Sequence, residues 1–102
     1  MKTPRRVRIG RRIYPVDVVT MLKGTARSGY YDPVKRKIVL ARLGGISGRR
    51  FSAYEREYTF WHEATHAILH DMGDDSWRNE RFVTSFSKRL CTLVRSMRKV
   101  QR

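Results

Sequence analysis

The chain has 102 residues, 40% of them hydrophobic, and a single cysteine. This composition predicts one small globular domain and excludes an internal disulfide or a cysteine-rich zinc cluster. Lysine and arginine number 23 against 9 acidic residues, and the net charge of +14 lies far above the magnitude of about 2–8 common in small soluble domains. Such a surface attracts nucleic acid, acidic proteins or other anions.

The N-terminal segment is rich in arginine. We expect a flexible basic arm over residues 1–12 and a single domain over residues 13–102. The candidates for nucleic-acid contact are Arg5, Arg6, Arg8, Arg11 and Arg12. A second basic cluster comprises Lys88, Arg89, Arg95, Arg98, Lys99 and Arg102. No apolar stretch has the length of a signal peptide or a membrane span, so we expect a soluble, cytoplasmic protein without membrane association.

Three segments before the middle of the chain have strand character. Residues 13–19 partly alternate between apolar and polar side chains, and Pro15 suits the start or the edge of a strand. Tyr30-Tyr31 and Ile38-Val39-Leu40 flank the turn sequence Asp32-Pro33, which predicts a β-hairpin. The sequence therefore predicts a small sheet ahead of the helices.

A helix is predicted from residue 53 to residue 72. Ser52 and Glu55 have the spacing of a capping box, no proline or glycine follows until Gly73, and Gly73 suits the position after a helix C-terminus. The residues predicted to form its buried side, which recur at helical spacing, are Tyr54, Tyr58, Trp61, Thr65, Ile68 and Leu69.

This helix carries the motif H-E-x-x-H, from His62 to His66. Histidines four positions apart lie one turn apart on the same face, so both imidazoles can reach one zinc ion. Glu63 then stands beside the open position of the metal, where a carboxylate can accept a proton from water. The motif indicates a zinc-dependent peptidase with Glu63 as general base.

Catalytic zinc sites use a third protein ligand, which must be sought downstream. Glu80, 14 residues after His66, is the favoured candidate if a second helix packs back on the first. His70 is an alternative, although three ligands from one straight helix converge poorly. The remaining alternatives are Asp71, Asp74 and Asp75.

A second helix is predicted over residues 77–99, with Asp74, Asp75 or Ser76 as its N-cap. Its apolar side chains follow the helical period, which predicts a face buried in the core, and Cys91 is expected to pack there too. The predicted core positions of this helix are Phe82, Phe86, Leu90, Leu93, Val94 and Met97.

The segment Glu80–Leu90 resembles the E-x-x-A-N-x-F-A-x-x-L pattern that follows H-E-x-x-H in the ImmA/IrrE-type metallopeptidases. The likeness spans roughly residues 13–90. Val83 and Thr84 stand where Ala-Asn is usual, and Ser87 replaces the second alanine. The resemblance implies an α+β, minimal zincin-like (gluzincin-like) fold, in which a small twisted sheet packs on an active-site helix and a C-terminal helix.

The resemblance also implies roles for individual residues: His62, His66 and Glu80 as the Zn²⁺ ligands, and Glu63 as the general base. The expected reaction is hydrolysis of a peptide bond in a protein substrate, such as a DNA-bound regulator. The strand Lys37 to Ala41 is expected to pair with the substrate by β-augmentation. Candidates for stabilising the oxyanion or the ligands are His70, Tyr30 and Tyr31.

Two other functions are compatible with the same residues. In the first, the protein is a basic nucleic-acid-associated binding protein whose zinc site is structural or vestigial, an interpretation supported by the net charge of +14. In the second, it is a small regulator whose peptidase cleft opens only when a partner binds.

Overall fold

The computed structural model describes residues 2–100, with side chains through residue 98. Arg102 and the side chain of Lys99, both in the predicted C-terminal basic cluster, lie outside the described part. The strands are β1 (Arg6–Ile9), β2 (Arg12–Met21), β3 (Gly29–Asp32) and β4 (Lys37–Leu43), and the helices are α1 (Ala53–Asp71) and α2 (Glu80–Val100), with a short 3-10 helix (Asp75–Arg78) between them. The predicted α+β class is confirmed.

The four strands form one mixed sheet in the order β1-β2-β4-β3. β2 and β4 are parallel, whereas β1 pairs antiparallel with β2 and β3 pairs antiparallel with β4, as predicted for the β3–β4 hairpin. Because β4 has a partner on each side, the prediction that Lys37 to Ala41 forms the edge that binds substrate is wrong. The edge on that side of the sheet is β3.

The basic N-terminal segment forms part of the sheet, so the flexible arm predicted over residues 1–12 is replaced by a hairpin from Arg6 onward. β1 pairs with β2 from Arg6 opposite Pro15 to Ile9 opposite Arg12. The apolar side chains Val7 and Ile9 alternate with the arginines and pack against the core, which explains why this charged segment forms a strand. Pro15 lies near the start of β2, as predicted.

The core lies between the sheet and one face of α1. Tyr14, Ile38 and Leu40 from the sheet pack in one buried cluster with Phe60 and the small residues of α1, Ala64 and Ala67. Helix α1 has the capping box at Ser52 and Glu55 as predicted, and it ends before Gly73, whose φ is +73°.

The buried face of α1 differs from the predicted one. Thr65 is buried, but Tyr54 and Ile68 are exposed, and the remaining predicted positions are half-buried. The reason is that the sheet covers a neighbouring face of the helix, where Ala64 and Ala67 let the strands approach closely. The predicted side instead turns toward α2, whose Arg95 guanidinium lies 4.5 Å from the centre of the Tyr54 ring.

Gly29 lets the edge strand β3 lie directly against α1. A Cβ atom at this position would lie 2.6 Å from the carbonyl oxygen of Val39 and 2.8 Å from Cγ2 of Thr59. Next to it, the hydroxyl groups of Ser28 and Thr59 are 2.7 Å apart. The start of β3 is therefore held against the helix turn that precedes the H-E-x-x-H motif.

The start of α2 is set by Asn79, whose side chain accepts a hydrogen bond from the backbone N–H of Phe82 at 3.0 Å. Asp74, one of the predicted N-caps, instead caps the 3-10 helix by accepting from the N–H of Ser76. Glu80 is consequently the first residue of α2, at the point where this helix meets α1.

Helix α2 packs through a face that the apolar pattern did not predict. Val83, Ser87 and Cys91 are its buried positions, and burial of Cys91 agrees with its expected packing role. The apolar side chains that are exposed instead are Phe82, Phe86, Leu93 and Met97. Within residues 2–100, neither helix combines the length and the apolar character needed to span a membrane.

Candidate metal centre and cleft

Three side chains from two helices converge on one point. Oε1 of Glu80 lies 3.0 Å from Nε2 of His62 and 2.9 Å from Nε2 of His66. The two imidazole rings, one turn apart on α1, have centroids 5.1 Å apart. The structure thus brings the two histidines together with the predicted third ligand, Glu80, because the 3-10 helix returns the chain to α1 just before Glu80.

The other ring nitrogens of the two histidines are engaged as hydrogen-bond donors. Nδ1 of His66 lies 2.6 Å from the backbone carbonyl of Trp77, and since a carbonyl only accepts, Nδ1 must carry the hydrogen. Nδ1 of His62 lies 3.4 Å from Oγ of Ser87, whose hydroxyl donates to the carbonyl of Thr84 and therefore accepts from the ring. Both neutral imidazoles then direct a lone pair from Nε2 toward the carboxylate oxygen of Glu80.

Two imidazole nitrogens and a carboxylate oxygen that converge in this way could hold a cation. Three lone pairs meeting at 2.9–3.0 Å repel one another unless a proton or a metal ion lies between them. When a proton takes that place, Nε2 donates to Glu80. Burial raises the pKa of Glu80, but these hydrogen bonds and the charges of the two imidazoles together lower it, so the carboxylate is ionised at neutral pH. Two imidazoles and one ionised carboxylate form a donor set for a divalent transition-metal ion.

Glu63 stands beside this point but in a different environment. One carboxylate oxygen of Glu63 and one ring nitrogen each of His62 and His66 all lie within 4.8 Å of one another. Unlike Glu80, it is buried, and burial raises the pKa of its carboxyl group against the opposing influence of the two histidines. The oxygen of Glu80 is in direct contact with both Nε2 atoms, so Glu80 could join the two histidines in holding a metal ion, with Glu63 beside them.

A cleft with two lobes opens at this centre. The lobes have volumes of about 240 and 220 Å³, and Arg27, Glu63 and Glu80 line both of them. The first lobe also borders Gly29 of the edge strand, and the second also borders Tyr31. The edge strand therefore faces the same space as His62, His66 and Glu80.

The outward backbone groups of β3 are unpaired along this cleft. The N–H of Ala41 donates to the carbonyl of Ser28 at 2.8 Å, and hydrogen-bonded positions alternate along an antiparallel pair. The N–H and C=O groups of Gly29 and Tyr31 therefore point away from β4. They are available to a further strand.

His70 and Tyr31 contact each other instead of the centre. The hydroxyl group of Tyr31 lies 2.6 Å from Nδ1 of His70, and the ring of His70 stacks on Trp77 at 4.7 Å. Burial, together with the charge of nearby arginines, lowers the pKa of His70, while burial raises the pKa of Tyr31 to about 12. The Tyr31 hydroxyl therefore donates to a neutral His70, which is not a ligand.

Tyr30 lies on the opposite face of β3 from Tyr31, because successive strand residues alternate. Its ring contacts the guanidinium of Arg27 at 5.5 Å. The side chain of Tyr30 does not line either lobe of the cleft, but it contacts Arg27, which lines both. Of the carboxylates weighed as third ligands, Asp71 accepts from the Tyr14 hydroxyl at 2.8 Å, and Asp74 caps the 3-10 helix.

The sequence did not single out Arg27, Trp77 or Ser87. Trp77 contributes a backbone carbonyl, which has no sequence signal, and Arg27 reaches the cleft only through the fold. Ser87 had a weak signal, as a departure from the alanine of the family pattern at a position that faces His62. Comparison of the chain with protein-family profiles, curated proteins and solved structures found no match.

Proposed function

We propose that the protein is a zinc-dependent endopeptidase that hydrolyses a peptide bond in an extended protein segment. The observation that carries this proposal is the convergence of Nε2 of His62, Nε2 of His66 and Oε1 of Glu80, with the Glu63 carboxyl group beside them. The proposal agrees with the resemblance to ImmA/IrrE-type metallopeptidases in the motif and in the segment that follows it.

The donor set fits zinc in chemistry and spacing. Ligand atoms on one tetrahedral zinc ion lie about 3.3 Å apart, given bond lengths of about 2.0–2.1 Å. The contacts of 3.0 and 2.9 Å are within a few tenths of an ångström of that value. The partners of both Nδ1 atoms, Trp77 and Ser87, fix the tautomers that zinc binding requires.

Glu63 would transfer the proton during the reaction. A bound zinc ion supplies Lewis acidity, which lowers the pKa of water at the site and polarises a substrate carbonyl. The Glu63 carboxylate accepts a proton from the attacking water as the new C–O bond forms. It then donates that proton to the amine nitrogen as the C–N bond breaks. Burial raises the pKa of the Glu63 carboxyl group, which makes its carboxylate a stronger base than an exposed one.

The edge strand β3 would hold the substrate. An extended peptide beside β3 can bond the free N–H and C=O groups of Gly29 and Tyr31 and pass over Glu63. This supports the expectation of β-augmentation, with the pairing strand moved from β4 to β3. Arg27, which borders both lobes of the cleft, would add positive charge beside the bound segment.

The proposal is tested by zinc analysis and by cleavage of a denatured protein, with Glu63→Gln as the variant. We expect Glu63→Gln to retain zinc but lose about 10²-fold or more of the activity, since general-base catalysis contributes about 10²–10⁴-fold. Glu55→Gln, which changes a carboxylate in the first turn of the same helix, serves as the control and should cleave normally. Equal cleavage by wild type and Glu63→Gln would overturn the mechanism.

A second candidate function, contact with nucleic acid, is favoured by the β1–β2 hairpin. All five arginines proposed for this contact, Arg5, Arg6, Arg8, Arg11 and Arg12, are exposed. Their charge suits binding to the phosphate backbone without base recognition. Titration with duplex DNA across salt tests this, and affinity independent of salt would refute it.

A further inference from the structure

We propose that the cleft selects protein segments rich in aspartate and glutamate, an inference that rests on the proposed peptidase function and names its substrate class. Five cationic side chains line the cleft and the groove that continues from it, against two carboxylates, Glu63 and Glu80, which already have assigned roles. The cations are Arg27, Arg78, Arg81, Lys88 and Arg89.

Arg27 is the central cation of this surface. It lies two residues before the edge strand and borders both lobes. Among the side chains of residues 2–98, no carboxylate lies within salt-bridge distance of it, and its guanidinium lies 5.5 Å from the centre of the Tyr30 ring. A guanidinium that packs on an aromatic ring keeps the N–H donors at the edge of its plane free. Arg27 can therefore bind a substrate carboxylate on either side of Glu63.

Arg78 has the same arrangement in the second lobe. Its guanidinium lies 5.1 Å from the centre of the Trp77 ring, and Trp77 is itself fixed by stacking on His70. Within the described residues, Arg78 also lacks a carboxylate at salt-bridge distance. The centre of the cleft and its second lobe therefore each have a guanidinium in contact with an aromatic ring.

Beyond the cleft, an open groove runs from Glu80 along one side of α2. Its lining residues are Glu80, Arg81, Thr84, Ser85, Lys88 and Arg89. Arg89 is held by hydrogen bonds to the carbonyl and hydroxyl oxygens of Ser85, whereas Arg81 and Lys88 are exposed. A peptide leaving the second lobe thus meets further positive charge over about two turns of helix.

The geometry favours a peptide over nucleic acid as the occupant of this surface. The lobes of about 240 and 220 Å³ are too small for a duplex, and the free N–H and C=O groups of Gly29 match a peptide backbone. Phosphate recognition needs cations but has no use for an open strand edge.

Binding is measured with the zinc-loaded Glu63→Gln protein, so that affinity is recorded without cleavage. The probes are matched fluorescent peptides that share a neutral centre and carry aspartate and glutamate, serine and glutamine, or lysine on both sides of it. We expect the acidic peptide to bind at least about ten-fold more tightly than the neutral one, because each exposed charge pair contributes about two- to five-fold. The difference should shrink between about 0.1 M and 1 M salt, where the Debye length falls from about 10 Å to 3 Å.

Variants in the same background locate the effect. Arg27→Gln and Lys88→Gln should each weaken the acidic peptide by about two- to five-fold and together by about ten-fold, since distant sites add. Arg6→Gln removes the same charge from β1 at the opposite edge of the sheet, and it should leave the preference unchanged.

Each outcome decides the inference. The inference is overturned if the three peptides bind with equal affinity, or if Arg6→Gln and Arg27→Gln have equal effects. It is also overturned if single-stranded DNA displaces the acidic peptide at a lower concentration than unlabelled peptide does. If the wild-type protein cleaves peptides without preferring acidic ones, the proposed substrate class is wrong and the proposed peptidase function stands. If acidic peptides bind tightly but the wild-type protein does not cleave them, the peptidase function is wrong and the preference for acidic segments stands.

Discussion

Replacing Glu80 by alanine removes the ligand that the fold brings to the two histidines. The Glu80 side chain is 63% exposed, and its hydrogen bonds are to Nε2 of His62 and Nε2 of His66. Because ion pairs this exposed contribute at most about 1 kcal/mol, the metal-free variant should unfold at nearly the wild-type temperature. The effect is expected only when zinc is present.

The size of that effect follows from linkage between binding and folding. At free zinc about 100-fold above Kd, binding stabilises the folded state by about 2.7 kcal/mol, which for a domain of this length raises Tm by about 11–22 °C. Changes around a metal site that spare the ligands already weaken binding by about 10–100-fold, so loss of a charged ligand should cost at least about 100-fold. At the same zinc level the variant then gains about 0.4 kcal/mol, or about 2–3 °C.

The assay is thermal unfolding of wild type, Glu80→Ala and Asp75→Asn, each with a chelator and with buffered zinc. Asp75 is a matched control, because it is a carboxylate in the adjacent 3-10 helix and was itself one of the ligands weighed from the sequence. We expect Asp75→Asn to respond to zinc like wild type. An unchanged zinc shift in Glu80→Ala, or loss of the shift in Asp75→Asn, would refute the ligand assignment.

Three further predictions test the fold around the site. Gly29→Ala should destabilise the protein by about 1–3 kcal/mol, measured by urea unfolding, because the new Cβ would lie 2.6 Å from the backbone oxygen of Val39 in β4 and 2.8 Å from Cγ2 of Thr59 in α1; an unaffected midpoint would show that β3 does not pack against β4 and α1 as closely as described. Val83→Ala should lower the free energy of unfolding by about 1.5–3 kcal/mol through lost buried methyl groups. Leu93→Ala should lower it by less than about 1 kcal/mol, because Leu93 is 55% exposed. The opposite order in urea unfolding would show that α2 packs through the face predicted from periodicity. Hydrogen bonds from Arg49 lower the pKa of Glu55 to about 2, so its carboxylate stabilises the fold above about pH 4.5 and loses that effect as the pH falls toward 2. The difference in unfolding free energy between wild type and Glu55→Gln should therefore narrow over this pH range. A difference that stays constant in acid titrations would contradict the prediction.

The predicted buried faces of α1 and α2 were both wrong for the same reason. The spacing of apolar residues shows that a helix has an apolar face, but it does not show which face packs against another element. Phe82, Phe86, Leu93 and Met97 have the spacing of a core face, yet α2 packs on α1 through the side that carries Val83. A helix in a two-layer domain can bury small or polar residues where the neighbouring helix comes closest. The apolar side chains beside that contact remain partly in water.

The sequence by itself determined the local parts of this protein. The capping box at Ser52, the uninterrupted run to Gly73 and the four-residue spacing of His62 and His66 predicted α1 and the alignment of its two imidazoles, since these depend on contacts within a few turns of one helix. The β3–β4 hairpin was predicted for the same reason, from the turn residues at Asp32-Pro33.

Only the tertiary structure decided what lies around those imidazoles. Glu80 reaches them because the 3-10 helix and the Asn79 cap set the direction of α2, and the sequence alone left other carboxylates open. The open sheet edge beside the cleft is β3 because β4 lies between two strands, and Arg27 reaches the cleft because Gly29 lets β3 lie against α1. Contacts between residues far apart in the chain depend on how whole elements pack, which no short segment encodes.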